Sequence, residues 1–214
     1  KGCTNCIKRC PTEAIRVRNG KAKIIKERCI DCGECIRVCP YHAKKAITDP
    51  FSSIEHYKYK IALPAPSLYG QFKDVWDVNL ILTALKKIGF DDIFEVARAA
   101  EIITTAAKNA IASGQLTAPV ISSACPAVVR LIRVKFPNLI PNIIPITSPM
   151  EIAARIAKQE AMNKTHLNED EIGTFFISPC AAKMTSSKIP TGIDQSYVNG
   201  VISMKEIYLE LASV

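Results

Sequence analysis

Long hydrophobic runs and aromatic weight are both scarce in this sequence. No stretch reaches the ~18 consecutive apolar residues of a membrane span, although 48% of the 214 residues are hydrophobic. That leaves a soluble globular chain, expected in the cytoplasm, with no membrane span. One tryptophan is present, Trp76, read as a core residue, and aromatics make up 7% of the chain. Acidic residues are the minority charge, 20 against 28 basic ones, for a formal net charge of +8. The basic residues are scattered, with pairs at Lys8-Arg9, Lys44-Lys45 and Lys86-Lys87. No basic stripe interleaved with aromatics appears, which argues against nucleic acid as a partner. A basic face still suits an acidic redox partner. The three histidines, His42, His56 and His166, lie outside any cysteine or carboxylate constellation and read as surface residues. No signal-peptide pattern is visible at the start of the sequence, which opens Lys-Gly-Cys without a methionine, so the true N-terminus is expected to lie upstream.

Cysteine is the exception to this sparseness. There are nine, an odd number, and seven fall between residues 3 and 39. The second row, Cys29-Ile-Asp-Cys32-Gly-Glu-Cys35-Ile-Arg-Val-Cys39-Pro40, is a complete Cys-x-x-Cys-x-x-Cys-x-x-x-Cys-Pro pattern. The first, Cys3-Thr-Asn-Cys6-Ile-Lys-Arg-Cys10-Pro11, repeats it 29 residues earlier without its first cysteine. Three thiolates at i, i+3 and i+6 wrap a short loop around one face of a cubane. The backbone N–H groups between them then point at the sulfurs. The fourth cysteine leads away to another cluster. Disulfides in a secreted minidomain fit this spacing poorly. Between the rows, residues 14–18 and 22–25 flank Asn19-Gly20, a hairpin with an Asn-Gly turn.

Residues 1–50 resemble a bacterial-type ferredoxin module with two 4Fe-4S clusters. That resemblance implies crossed ligation, with Cys29, Cys32, Cys35 and Cys10 on one cluster. The other takes Cys3, Cys6, Cys39 and a cysteine expected just before Lys1. A core this small gains its stability from the clusters, so folding and cluster binding are expected to be coupled.

Residues 49–53 read as a linker. Beyond it, over 58–214, strands and helices alternate. Strands are expected at 59–63, 93–96, 120–123, 174–177 and 200–202. Helices are expected at 75–88, 99–112, 127–135, 149–162 and 204–211, with Ser148 as an N-cap and Pro149 at the first helical position. The fold class is therefore an α+β ferredoxin-like module followed by an α/β domain with a mostly parallel sheet wound by helices. Ligands in such sheets sit beyond the carboxyl ends of strands. Three segments fall there: Ala65-Pro66-Ser67, residues 122–126, and residues 178–183. The remaining cysteines, Cys125 and Cys180, occupy two of the three.

On these residues the chain is similar to the FeFe-hydrogenase family. The family's first signature, TSCCPxW, has its counterpart in Ser122-Ser123-Ala124-Cys125-Pro126-Ala127-Val128. Its second, MPCxxKxxE, has its counterpart in Ser178-Pro179-Cys180-Ala181-Ala182-Lys183-Met184-Thr185-Ser186. The resemblance implies that Cys125 and Cys180 ligate a third 4Fe-4S cubane, linked in the full-length protein to a two-iron centre carrying CO and cyanide. It implies that Lys183 hydrogen-bonds one cyanide, and that the Ala65-Pro66-Ser67 loop approaches the other. A lysine suits the first task, as a compact charge with three donors.

Three departures from the family pattern weaken the usual proton path. Ala124 replaces the proton-carrying cysteine, Ser186 replaces a glutamate, and Ala107 and Ala110 stand where acidic residues are expected. Losing a positioned general acid costs ~10² to 10⁴ in rate. The family's third cysteine signature is absent, so the 214 residues are expected to be a fragment, inactive by itself. The intact protein then resembles the sensory branch, handling H2 and protons slowly and passing electrons to a redox partner or a signalling domain. A catalytic hydrogenase with protons rerouted through Ser122, Ser123 or Ser186 is a second possibility. A non-catalytic electron-transfer or cluster-assembly protein, using the cubane sites only, is the third.

Overall fold

The computed structural model describes residues 3–73, 75, 77–190 and 192–213; Trp76 and the chain start at Lys1 lie outside them. The N-terminal module begins with α1 (Asn5–Lys8), then the hairpin β1 (Ile15–Arg18) and β2 (Lys21–Ile24), then α2 (Glu34–Arg37). The hairpin turn rests on Asn19 at φ 53° and Gly20 at φ 69°. Two successive left-handed residues match the twist of the strands they join.

The 29-residue repeat seen in the sequence is also a repeat of geometry. Helices α1 and α2 occupy the same place in each copy. In both copies the final cysteine's sulfur accepts a backbone N–H four residues on: Ala14 N to Cys10 Sγ at 3.2 Å, and Ala43 N to Cys39 Sγ at 3.3 Å. The residue before each donor is left-handed, Glu13 at φ 51° and His42 at φ 48°.

The larger domain is a four-stranded parallel sheet of β3 (Tyr59–Pro64), β4 (Asp92–Ile93), β5 (Ile172–Ser178) and β6 (Gly200–Ser203), in the order β4-β3-β5-β6. Helices α3 (Val78–Lys87), α4 (Val96–Ala112), α5 (Pro126–Lys135), α6 (Pro149–Thr165), α7 (Ala181–Lys188) and α8 (Met204–Leu211) connect and cover it. All seven β5 residues are buried, as a central parallel strand requires. Side chains alternate between two cores. Ile61, Leu63, Ile172, Phe176 and Val201 meet α4 and α6 on one face, while Ala62, Phe175, Ile177 and Ile202 meet α3 and α8 on the other. The chain leaves β3 toward β4 and leaves β5 toward β6, in opposite directions. The carboxyl ends of β3 and β5 therefore form a topological switch point.

Two sequence expectations are corrected. Residues 120–123 are not a strand: they make one parallel bridge, Ile121 to Ile143. Pro119, Pro141 and Pro145 flank that bridge and cannot donate to a ladder. The expected strand at 93–96 stops at Ile93, because Val96 opens α4 and is buried with Ala99 on its inner face. The stretch 49–53 is docked on the sheet edge. The Asp49 backbone N donates to Val201 O at 3.0 Å, and Asp49 Oδ2 accepts from Val201 N at 2.8 Å, covering the open side of β6.

Candidate functional site

The module holds four thiols around one space. Cys10, Cys29, Cys32 and Cys35 line a cavity of about 280 Å³, walled by Ala14, Ile15 and Ile30 and closed by Ala181, Met184 and Thr185 of α7. Burial pushes the Cys29 thiol up, and the neighbouring Cys35, Cys10 and Cys32 add to it. Cys35 is raised likewise, first by burial and then by Cys32. Four thiolates lining one cavity would carry four negative charges and call for a positively charged occupant. Among the described residues no three His, Cys, Asp or Glu side chains converge tightly enough for one metal ion. A single tetrahedral ion needs sulfurs about 3.8 Å apart, from metal–sulfur bonds of ~2.3 Å. A ring of thiols with a cavity between them suits a cluster instead. Cys39 is held low by backbone N–H groups from Ala43 and Tyr41. Cys3 is exposed and Cys6 half-buried.

An ion pair ties a cysteine loop of this module to the larger domain. Arg130 on α5 meets the Asp31 carboxylate, within the loop that carries Cys29. The Asp31 backbone N also donates to Cys29 Sγ at 3.3 Å.

At the second locus, Cys125 and Cys180 are the N-cap residues of α5 and α7. Both thiols stand at the positive ends of helix macrodipoles. Their loops are held alike: Ala124 N donates to Ser122 Oγ at 3.3 Å, and Cys180 N donates to Ser178 Oγ at 3.2 Å. Ser123 Oγ also donates to Ile146 O. Lys183 spans the two loops, its Nζ donating to Ala124 O at 2.9 Å. Burial pushes the Lys183 amine down, against the opposing pull of Cys180, Cys125 and Glu151. Among the described residues Lys183 is in no ion pair, so two of its three N–H groups remain for another acceptor. Ala65 lies at the switch point, its N bonded to Ile177 O at 3.1 Å. Pro66 and Ser67 are exposed just beyond it.

Ala124 and Ala107 line one cavity of about 150 Å³, together with Ser122, Ser123 and Thr147. Among the described residues no acid or thiol lines it. Ser186 faces a different cavity, described below, and Ala110 lines neither. His42, His56 and His166 are exposed.

Sequence reasoning missed Arg130, Asp31, Glu151 and Ser196. Glu151 stands three residues after the N-cap Ser148, which reads as a capping box. That pattern hid it: Ser148 is the N-cap residue but makes no side-chain cap bond. Glu151 turns instead to Ser196 and Tyr197.

Fold and thiols together point to an iron–sulfur protein, in which a cysteine-rich module abuts an α/β domain with a further cysteine at the N-cap of each of α5 and α7. Comparison with known proteins narrows the class. Residues 58–212 match the model for the iron only hydrogenase large subunit, C-terminal domain, and residues 1–44 match a 4Fe-4S dicluster domain. The chain belongs to the iron-only hydrogenase large-subunit family. It is 26% identical over 201 residues to the periplasmic Fe hydrogenase large subunit of Nitratidesulfovibrio vulgaris, covering 85% of this chain and 48% of that one. It is 22% identical over 181 residues to the NADP-reducing hydrogenase subunit HndD of Solidesulfovibrio fructosivorans, covering 72% of this chain and 30% of that one. The chain thus spans about half the length of these relatives or less. A variant of FeFe-hydrogenase HydA1 from Chlamydomonas reinhardtii superposes with a TM-score of 0.61 at 18% identity, covering 72% of this chain and 42% of that one. That likeness concerns the fold. No helix among the described residues is long and apolar enough to cross a membrane.

Proposed function

We propose that this chain is part of an FeFe-hydrogenase-type protein of the sensory or slow-turnover kind, exchanging electrons with a redox partner or a signalling domain. The observation that supports it most is the Lys183 bond to Ala124 O at 2.9 Å. It draws the loops of Cys125 and Cys180 to one place and leaves a poorly solvated ammonium beside them. On this reading Cys125 and Cys180 supply two ligands of a 4Fe-4S cubane, and Lys183 with the Ala65-Pro66-Ser67 loop cradles a two-iron centre carrying CO and cyanide. When bound, that centre supplies the chemistry of splitting H2 and reducing protons. Lys183 suits an anionic ligand because, among the described residues, no carboxylate accepts a hydrogen bond from its remaining N–H groups. Cys10, Cys29, Cys32 and Cys35 hold the cluster nearer α7, and Cys3, Cys6 and Cys39 serve the outer one. Ala124 has no atom that carries a proton, which disfavours fast turnover.

Infrared spectroscopy of the full-length, maturated protein tests this. CO and cyanide bands are expected. Their complete absence sinks the proposal in favour of a protein that uses cubane sites only. Turnover of H2 at ordinary hydrogenase rates would reject the sensory reading. Ala124→Cys is expected to raise turnover by at least ~10²-fold, the lower range for a positioned proton donor.

A further inference from the structure

Behind the Ala124 cavity lies a second chamber, of about 230 Å³. Its polar wall includes Ser123, Ser148, Glu151 and Ser186. The volume has room for several waters at roughly 30 Å³ each. Two features of the wall are unusual. Ser148 Oγ is buried with no hydrogen-bond partner among the described residues. Glu151, 3% exposed, is a carboxyl inside the domain with no ion pair among the described residues. Ser196 Oγ donates to its Oε1 at 2.7 Å, and the Tyr197 backbone N donates to its Oε2 at 2.9 Å. Ser196 and Tyr197 in turn line an outer cleft of about 950 Å³ with Asp194, Glu169 and Asp170. Ser123 and Thr147 line both the chamber and the Ala124 cavity. Polar groups therefore run from the Ala124 loop through Ser123, the chamber and Glu151 to Ser196 and the outer cleft.

We propose that this chamber is a water-filled proton-holding site, in which Glu151 carries a proton that it exchanges through Ser196 with the outer cleft. An unpartnered buried hydroxyl and a buried carboxyl across a roomy cavity call for water between them. The exchange balances without redox change. The Glu151 carboxylic O–H gives its proton to a chamber water. Ser196 passes its hydroxyl proton to Oε1 and takes one from a hydronium in the cleft, so that one proton leaves the cleft water for each one given to the chamber water. The charges facing Glu151 are the Lys183 ammonium on α7 and, across the chamber, Arg133 on α5. Along α6, Arg155 lies 5.8 Å from the Tyr197 ring. Burial raises the Glu151 carboxyl, against the Ser196 and Tyr197 hydrogen bonds and the Lys183 charge, all of which favour the carboxylate. A route from the Ala124 loop along this chamber, in place of the relay that loop has lost, rests on the function proposed above; the proton held at Glu151 does not.

Infrared spectra of the chain with its iron–sulfur clusters, without a two-iron centre, test the proposal. In a pH titration a protonated-carboxyl C=O band is expected to persist to higher pH than the exposed carboxyl bands, shifting down in D2O and vanishing in Glu151→Gln. Ser148→Ala should shift that band by removing a chamber water's partner. Ser196→Ala should keep the band but slow its shift in D2O by ~10²-fold, as for loss of a positioned proton donor. A wild-type carboxyl region identical to that of Glu151→Gln overturns the proposal. So does unchanged exchange in Ser196→Ala, which also covers the case where Glu151→Gln fails to fold. CO and cyanide bands play no part in this readout, so it stands or falls separately from the proposed function.

Discussion

Replacing Asp31 by Asn and Arg130 by Met, singly and together, measures what the ion pair between the iron–sulfur module and α5 contributes. Both substitutions keep shape. Asp31 is left-handed, φ 52°, a conformation that Asn tolerates. Met retains most of the apolar stem of Arg130. The side chains are 20% (Arg130) and 26% (Asp31) exposed. They fall between exposed pairs, worth ~0.2 to 1 kcal/mol, and buried ones whose rupture costs ~3 to 5 kcal/mol. The gross attraction at 4 Å is about 4 kcal/mol in an effective dielectric of ~20. Burial already disfavours the Arg130 charge, which offsets part of that gain. A coupling energy of ~1 to 2 kcal/mol is therefore expected from the double-mutant cycle at low salt. The assay is anaerobic urea unfolding, followed by cluster absorbance for the module and far-UV circular dichroism for the α/β domain. The coupling should shrink toward 1 M salt, where the screening length is ~3 Å. A coupling inside the ~0.3 to 0.5 kcal/mol error of additivity would refute the reasoning.

Three further outcomes are expected. Gly173→Ala places a Cβ 2.5 Å from Tyr57 Cγ and 2.7 Å from Phe175 Cε2; such overpacking should cost at least ~1 to 3 kcal/mol in urea midpoints, and an unchanged midpoint would contradict the packing. Cys35→Ser removes one of four thiols around the module cavity, so iron per chain and amide protection of the β1–β2 hairpin should both fall, while the circular dichroism of the larger domain stays; an unaltered iron content would exclude Cys35 as a ligand. For Glu151 the native carboxyl is raised by burial, so the native state binds more protons than the unfolded one above the ordinary Glu range. Stability from this group is then greatest at low pH and declines as pH rises through the raised native value. Glu151→Gln should flatten that decline in urea titrations across pH, and an equally steep slope would show that another group causes it.

The cysteine rows were legible because cluster ligation fixes spacing more tightly than packing fixes composition. Their 29-residue offset reappears in the paired bonds to Cys10 and Cys39. The helices at 126–135, 149–165 and 204–211 followed their periodicity to within a few residues, since each buries one stripe. The 120–123 segment misled because a short apolar run looks like a strand whether or not it finds a ladder. Its fate was decided by prolines on a segment about 20 residues away. Cys180 does follow a strand end, but the strand expected before Cys125 is missing, and what the two positions share is the N-cap of a helix. Glu151 was hidden, since an acid in a first helical turn has a sufficient local reason to be there. Its real partners, Ser196 and Tyr197, are 45 and 46 residues downstream, and no local pattern points that far. Asp31 and Arg130 pair across the module boundary for the same reason.

Helix α7 explains why these parts converge. Ala181, Met184 and Thr185, spaced i, i+3 and i+4, share one stripe and close the module's thiol cavity. Lys183 and Ser186 lie toward the other side, where one reaches Ala124 and the other lines the Glu151 chamber. Cys180 caps the same helix at the end of β5. A rod of eight residues, ~10 Å across, thus has the iron–sulfur module against one flank and the hydroxyl-lined Glu151 chamber against the other. In the proposed function, electrons come from the first flank and protons from the second, and they meet only at its N-terminus. The buried parallel strand behind the helix fixes that separation, because β5 cannot shift register without moving all seven of its buried side chains.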